Sequence, residues 1–146
     1  MQLRAEQLDT HLARGTLAPL YVVSGDEALL AIEAADAIRA TARKLGFSER
    51  EVVHADGRSD WSTILGAAQG LSLFAERRIL EIRLPGGKPG KAGADALKAH
   101  AAHAADDLLT LVALPALDRA SRNSGWAQAL EAGGGWSDVP GSARAQ

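Results

Sequence analysis

Cysteine is absent from the 146-residue chain, which excludes disulfide staples, thiol nucleophiles and cysteine-ligated zinc together. Aromatic residues make up only 4% of it. A surplus of positive charge is missing too: 16 Lys and Arg stand against 18 Asp and Glu, a formal charge of −2, so the chain lacks the basic footprint that binding to duplex phosphates requires. No apolar run is long enough to span a bilayer. Residues 1–13, where Arg4, Glu6 and Asp9 interrupt the leucines, do not read as a signal peptide. What remains is a 47% hydrophobic, 23% charged, alanine-rich chain of one domain's length, with a cytoplasmic location expected.

The chain does contain a regular alternation of strand-like and helix-like periods. Leu3, Leu8 and Leu12 predict a short amphipathic helix closed by Gly15. Residues 19–24 are apolar and β-branched, the pattern of a buried strand. Ser24 and Glu27, three apart, predict a capping box for a helix whose apolar stripe is Ala31, Ala34, Ala35, Ile38, Ala42 and Leu45, with Gly46 as its stop. Residues 51–55 form a second strand candidate, and the turn chemistry of 56–60 precedes a helix with Trp61, Ile64, Leu65 and Ala68 on one face.

Residues 79–84 put Leu80, Ile82 and Leu84 on one strand face and Glu81 and Arg83 on a partly wet one. The Gly- and Pro-rich stretch 85–93 predicts a mobile surface loop, and 94–105 a helix. The continuous apolar run 108–114 belongs in the middle of a sheet. A helix within 117–130, starting near 121–124, directs Trp126 and Leu130 inward; glycines 133–135 end it before a last strand at 136–139. Strands alternating with helices predict an α/β fold, a three-layer parallel sheet with helices on both faces and right-handed crossovers.

Enzymatic chemistry finds no foothold. The first strand-to-helix turn, Ser24-Gly25-Asp26-Glu27-Ala28, lacks the lysine and second glycine of a phosphate loop, and its two carboxylates repel phosphate. Gly86-Gly87-Lys88-Pro89-Gly90-Lys91 fails as well, because Ile82 and Pro85 stand where glycines are required. Asp106-Asp107 precedes its strand, the wrong end for a Mg²⁺-binding carboxylate. No third metal ligand can be placed beside His100 and His103 from the sequence, and no catalytic partner can be identified in it for His11 or His54. No catalytic residue, cofactor site or metal site is expected.

The unusual stretch is Gly70-Leu71-Ser72-Leu73-Phe74-Ala75-Glu76-Arg77-Arg78, which places three large apolar side chains in a helix-to-strand connection, where loops are normally polar. Two readings are open: Leu71, Leu73 and Phe74 fold back into the core, or Leu73 and Phe74 form an exposed plug for a partner's apolar pocket.

These residues also resemble a known family. Ser24-Gly25-Asp26-Glu27 with Leu30, Trp61, the 70–78 stretch, Glu81-Ile82-Arg83-Leu84-Pro85, and Leu117-Asp118-Arg119 with Ser121, Asn123 and Trp126 together resemble the amino-terminal domain of the delta subunit of bacterial DNA polymerase III, the clamp-opening subunit of the clamp loader. The resemblance implies a degenerate AAA+ (P-loop NTPase-like) domain that binds no ATP. It implies a clamp-binding site of Leu73 and Phe74, with Leu71 and Ser72 shaping the turn. The implied partners are the sliding clamp (beta subunit) and the other clamp-loader subunits, with DNA met only through the assembled complex and no membrane. The subunit belongs to a nucleotidyltransferase complex without contributing catalytic residues of its own.

On this reading residues 1–140 are the clamp-binding domain and 141–146 a disordered or truncated tail. The family's lid and collar domains are not represented, so a fragment is expected. The rival expectations are a nucleotide-binding enzyme of the same fold and a generic α/β adaptor with no exposed plug.

Overall fold

Residues 20–24 are apolar at every position but the last, and they form β2 (Leu20–Ser24), buried along its whole length. In the computed structural model, which describes residues 1–68, 77–103 and 107–139, β2 lies inside a six-stranded sheet. Its other strands are β1 (Gln2–Leu3), β3 (Glu49–His54), β4 (Arg78–Arg83), β5 (Leu108–Leu114) and β6 (Gly135–Asp138). The order is β1-β6-β2-β5-β4-β3, and every pairing is parallel. β5, the longest apolar run, sits between β2 and β4, as expected of a strand covered on both faces.

Register sorts the side chains into two cores. Leu20 and Val22 of β2 share one face with Leu80, Ile82, Leu108 and Val112, closed by Trp61, Leu65, Leu97, Trp126 and Leu130. Those closing residues come from α3 (Trp61–Ala68), α4 (Gly90–Ala101) and α6 (Gly125–Gly133). Tyr21, Val23, Ile79, Leu109 and Leu111 point the other way, under α1 (Ala5–Ala13) and α2 (Ala28–Lys44), which contribute Leu8, Leu12, Ala35, Ile38 and Ala42. Each large side chain withdrawn from water contributes about 1.5–3 kcal/mol, so the alternation along the strands is the main source of stability on both faces.

Several elements differ from the sequence expectation. Leu3 belongs to β1, paired with Ser137, and not to the first helix. The stretch expected to be a mobile loop is shorter and pinned: the Gly87 amide donates to Leu84 O at 2.9 Å, and α4 begins at Gly90. Gly90 has φ +75°, and a Cβ there would lie 2.9 Å from Gly57 Cα, so glycine is required where the loops after β3 and β4 touch. The helix expected within 117–130 is two, α5 (Arg119–Arg122) and α6, with Asn123 and Ser124 between them. Asp118 caps the first by accepting from the Ser121 amide at 2.7 Å.

Candidate protein-interaction site

Leu71, Ser72, Leu73 and Phe74 lie within residues 69–76, outside the described residues, and so does Glu76. The two elements that hold this segment are described. On its amino-terminal side stands α3, whose first turn is fastened by Asp60. One carboxylate oxygen accepts from Ser62 Oγ at 2.8 Å and the Thr63 amide at 3.2 Å, the other from Thr63 Oγ1 at 2.7 Å. These bonds, Thr63 first, hold the Asp60 carboxyl below its ordinary range. The Trp61 indole donates to Asp56 O at 3.0 Å, and Trp61 and Leu65 are buried. α3 is therefore anchored by its cap and its apolar face together.

On the carboxyl-terminal side, Arg77 leads into β4. Its guanidinium donates to Leu45 O and stands 5.7 Å from the centroid of the buried Phe47 ring. Its carbonyl accepts from the Ser48 amide at 3.2 Å, while the Arg78 amide donates to Asp107 O at 2.9 Å. The chain thus enters the sheet at a point fixed by the α2–β3 connection and by the start of β5. Asp107 lies at the amino end of β5, as its sequence position indicates, and Asp106 lies outside the described residues.

The turn between β2 and α2 is built differently from the expected capping box. Glu27 stands at the N-cap position of α2 without a side-chain bond, and Ser24 ends β2 buried. Its hydroxyl donates to Asp138 Oδ1 and accepts from the Trp136 indole at 3.0 Å; the same indole N–H lies 2.9 Å from Asp138 Oδ1. Burial pushes the Asp138 carboxyl up, but donors from Ser24, Gln2 and Trp136 and the charge of Arg122 outweigh it and hold it below the ordinary range. Gly25 (φ +142°) meets Val139 so closely that a Cβ would fall 2.2 Å from Val139 Cγ2. Asp26 accepts from the Ala116 amide at 3.0 Å. No local pattern could have revealed this network, because Ser24 and Asp138 are 114 positions apart.

The two histidines considered as a metal pair have separate jobs. His100 is buried, with Nε2 2.7 Å from Thr110 Oγ1 on β5, whereas His103 is exposed, with Nδ1 on Ala99 O at 2.7 Å. Among the described residues no group of three or more His, Cys, Asp or Glu side chains is placed to hold a metal ion. No described helix is long and apolar enough to cross a membrane.

The strand face expected to be partly wet holds a charge cluster that the sequence did not reveal. Glu81 is 2% exposed. Its Oε1 accepts from Arg39 Nη1 at 2.8 Å and from Arg50 Nη2 at 3.0 Å, and its Oε2 from Arg83 Nε at 2.8 Å. Burial pushes the Glu81 carboxyl up, yet the bond from Arg83 and the charges of Arg39 and Arg50 win and hold it below the usual range.

The fold and the turn after β2 define a class: an all-parallel α/β domain with helices on both faces, whose β2–α2 connection carries two acids and no lysine. A family profile described as DNA polymerase III, delta subunit, matches residues 21–135, and the chain belongs to that family. It is 35% identical over 130 residues to the DNA polymerase III subunit delta of Escherichia coli, a match covering 89% of this chain and 38% of that protein. With the Haemophilus influenzae subunit delta it shares 38% identity over 80 residues, 55% of this chain and 23% of the relative. The Bacillus subtilis DNA clamp loader delta protein has the same fold, with a TM-score of 0.64 at 18% identity over 90% of this chain and 41% of that one. The chain therefore spans well under half the length of the relatives it matches.

Proposed function

We propose that this chain is the sliding-clamp-binding and clamp-opening module of a bacterial replicative clamp loader, and that Leu73 and Phe74 form the plug that enters the clamp's apolar pocket. The observation that carries this reading is the run Leu71-Ser72-Leu73-Phe74 inside the span that matches the delta-subunit family. The names of its relatives, a DNA polymerase III subunit and a DNA clamp loader delta protein, support the assignment. Leu71 and Ser72 shape the turn on which the plug sits.

The mechanism is differential binding. Each plug side chain withdrawn from water contributes about 1.5–3 kcal/mol. If plug and surround fit an opened clamp better than a closed one, ring opening is favoured by that difference without hydrolysis in this subunit. The domain is then a degenerate AAA+ module in the cytoplasm, and ATP acts in motor subunits that expose or hide the plug. Its further partners are the other clamp-loader subunits, and DNA is met only through the assembled complex.

The test is binding of the chain to immobilised sliding clamp, comparing the native sequence with a Leu73→Ala, Phe74→Ala double variant. At about 2–4 kcal/mol for each hot-spot side chain, the variant should lose well over tenfold in affinity while its circular dichroism spectrum stays unchanged. Undiminished affinity in a folded variant would sink the proposal.

A further inference from the structure

Among the described residues, large apolar side chains stand exposed to water at Met1, Leu29, Leu30, Ile32 and Val52. Leu29, Leu30 and Ile32 fall together on the first turns of α2, 63%, 36% and 55% exposed. A single exposed leucine is ordinary on a protein surface, but a contiguous apolar group marks a surface that meets something. Their exposure follows from the way α2 meets the sheet. The buried residues of this helix are Ala35, Ile38, Arg39 and Ala42, and residues 28–34 contribute no buried side chain. These first two turns touch the core only through the partly buried Ala31 and Ala34. By helical periodicity Leu29 lies across the helix axis from the buried Ile38.

The surroundings of this patch are acidic. Asp26 and Glu27 precede the first turn of α2, and Glu33 and Asp36 follow Leu29 and Ile32 by four residues each, which puts them on the same outer face. The chain carries no Lys or Arg between Arg14 and Arg39. Arg39 pairs with Asp36, so the negative surplus rests with Asp26, Glu27 and Glu33. Asp26 is held in place by the Ala116 amide at 3.0 Å, which fixes one carboxylate at the amino end of the patch.

We infer that the outer face of the first turns of α2 docks a basic amphipathic helix from a protein partner, its leucine-like stripe on Leu29, Leu30 and Ile32 and its Lys or Arg side chains toward Glu27 and Glu33. Residues spaced three and four apart on an exposed helix form the ridges on which a second helix packs. The acidic rim selects for a cationic partner by charge complementarity. It repels nucleic acid, whose binding requires a basic surface, and it repels anionic lipid, which attracts Lys and Arg instead. A symmetric contact with a second copy would set the same patch against itself, acids facing acids. None of the residues involved belongs to the 70–78 stretch, so the surface is separate from the plug.

The experiment titrates the ¹⁵N-labelled full chain with a synthetic helical peptide of roughly 14 residues, about four turns, bearing a leucine stripe flanked by lysines. A second peptide has glutamate for every lysine. The amides of Leu29, Leu30, Ile32 and Glu33 should shift with the lysine peptide only. Leu29→Ala with Ile32→Ala should weaken that binding by at least about tenfold while the circular dichroism spectrum stays unchanged, since alanine is the strongest helix former. Glu27→Lys with Glu33→Lys should transfer the preference to the glutamate peptide, and Leu73→Ala with Phe74→Ala should leave binding of the lysine peptide unchanged. Equal response to both peptides, shifts confined to other residues, or no saturable shift would overturn the inference. So would stronger shifts of the same amides with phosphatidylglycerol vesicles, or concentration-dependent shifts without peptide, which mean a second copy. Nuclear Overhauser contacts to Leu29 from residues 69–76 or 140–146 would overturn it as well, because the chain then covers its own patch.

Discussion

The Arg77 guanidinium stands over the Phe47 ring at 5.7 Å while donating to the Leu45 carbonyl. This joins the residue that follows the 69–76 segment to the end of α2. A cation–π contact at an exposed site is worth about 0.5–1 kcal/mol, so Arg77→Ala should lower the melting temperature only slightly. Clamp affinity, if the plug reading holds, should fall more than stability does, because the segment loses its carboxyl-terminal anchor. Parallel melting curves and clamp-binding measurements check the comparison.

Glu81 is the hub of three arginines. Removing one partner of a buried ion pair typically costs about 3–5 kcal/mol; because Arg50 and Arg83 retain access to water, Glu81→Ala should fall toward the lower end. The folded state holds this carboxyl below its ordinary pKa, so its contribution is present at neutral pH, above the unfolded value. It disappears as acid titrates the group through its lower folded value. Urea denaturation across the acid range should show Glu81→Gln losing less stability on acidification than the native chain.

His100 gives a second pH signature nearer neutrality. Burial, followed by the charge of His103, lowers its pKa from the ordinary value of 6.5, so the unfolded chain takes up a proton that the folded one resists. Stability from this residue is complete above the ordinary value and declines as pH falls toward the folded value. His100→Gln should flatten the drop in melting temperature between neutral and mildly acidic buffer. His11 contributes in the same direction, its pKa lowered by burial and Arg14, and the double variant should flatten the profile further.

Gly93 lies in α4 where a Cβ would sit 2.6 Å from the Trp61 ring and 2.7 Å from Pro89. Replacing glycine with alanine in a helix normally gains about 1 kcal/mol, but overpacking against a rigid indole costs about 1–3 kcal/mol. Gly93→Ala should therefore be destabilising on balance. Alanine at exposed Gly66, with open space around it, should stabilise, and denaturant midpoints of the two variants should move in opposite directions.

Elements with strong local periodicity were legible in the sequence. The unbroken apolar run of β5 placed it in the middle of the sheet, where it lies, and the Ala35, Ile38 and Ala42 stripe buried the face of α2 as its spacing required. What escaped was set by distant partners. Ser24 fits a capping box by spacing, but its hydroxyl is taken by Asp138. Leu3 continues a helical spacing, but two residues of strand carry no period of their own and pairing with β6 decides the outcome. Glu81 reads as a wet strand residue until arginines from α2, β3 and its own strand enclose it. Turn chemistry around Gly90 hid the start of α4, because glycine at positive φ suits the loop contact just where the helix begins. For the interaction site, spacing located its flanking helix and strand, while Leu71, Ser72, Leu73 and Phe74 themselves stand on the residue pattern and the family resemblance.

The insertion of β6 between β1 and β2 has a bearing on synthesis. β2 emerges early from the ribosome, yet one of its two edges has no strand to pair with until residues 135–138 have been made. The Ser24 hydroxyl likewise waits for Asp138 and Trp136. A nascent chain stalled before residue 135 thus presents a bare apolar edge to its surroundings, the kind of surface that chaperones shield and that other chains can pair with. Completion of the sheet therefore waits for residues 135–138 to pair with β1 and β2.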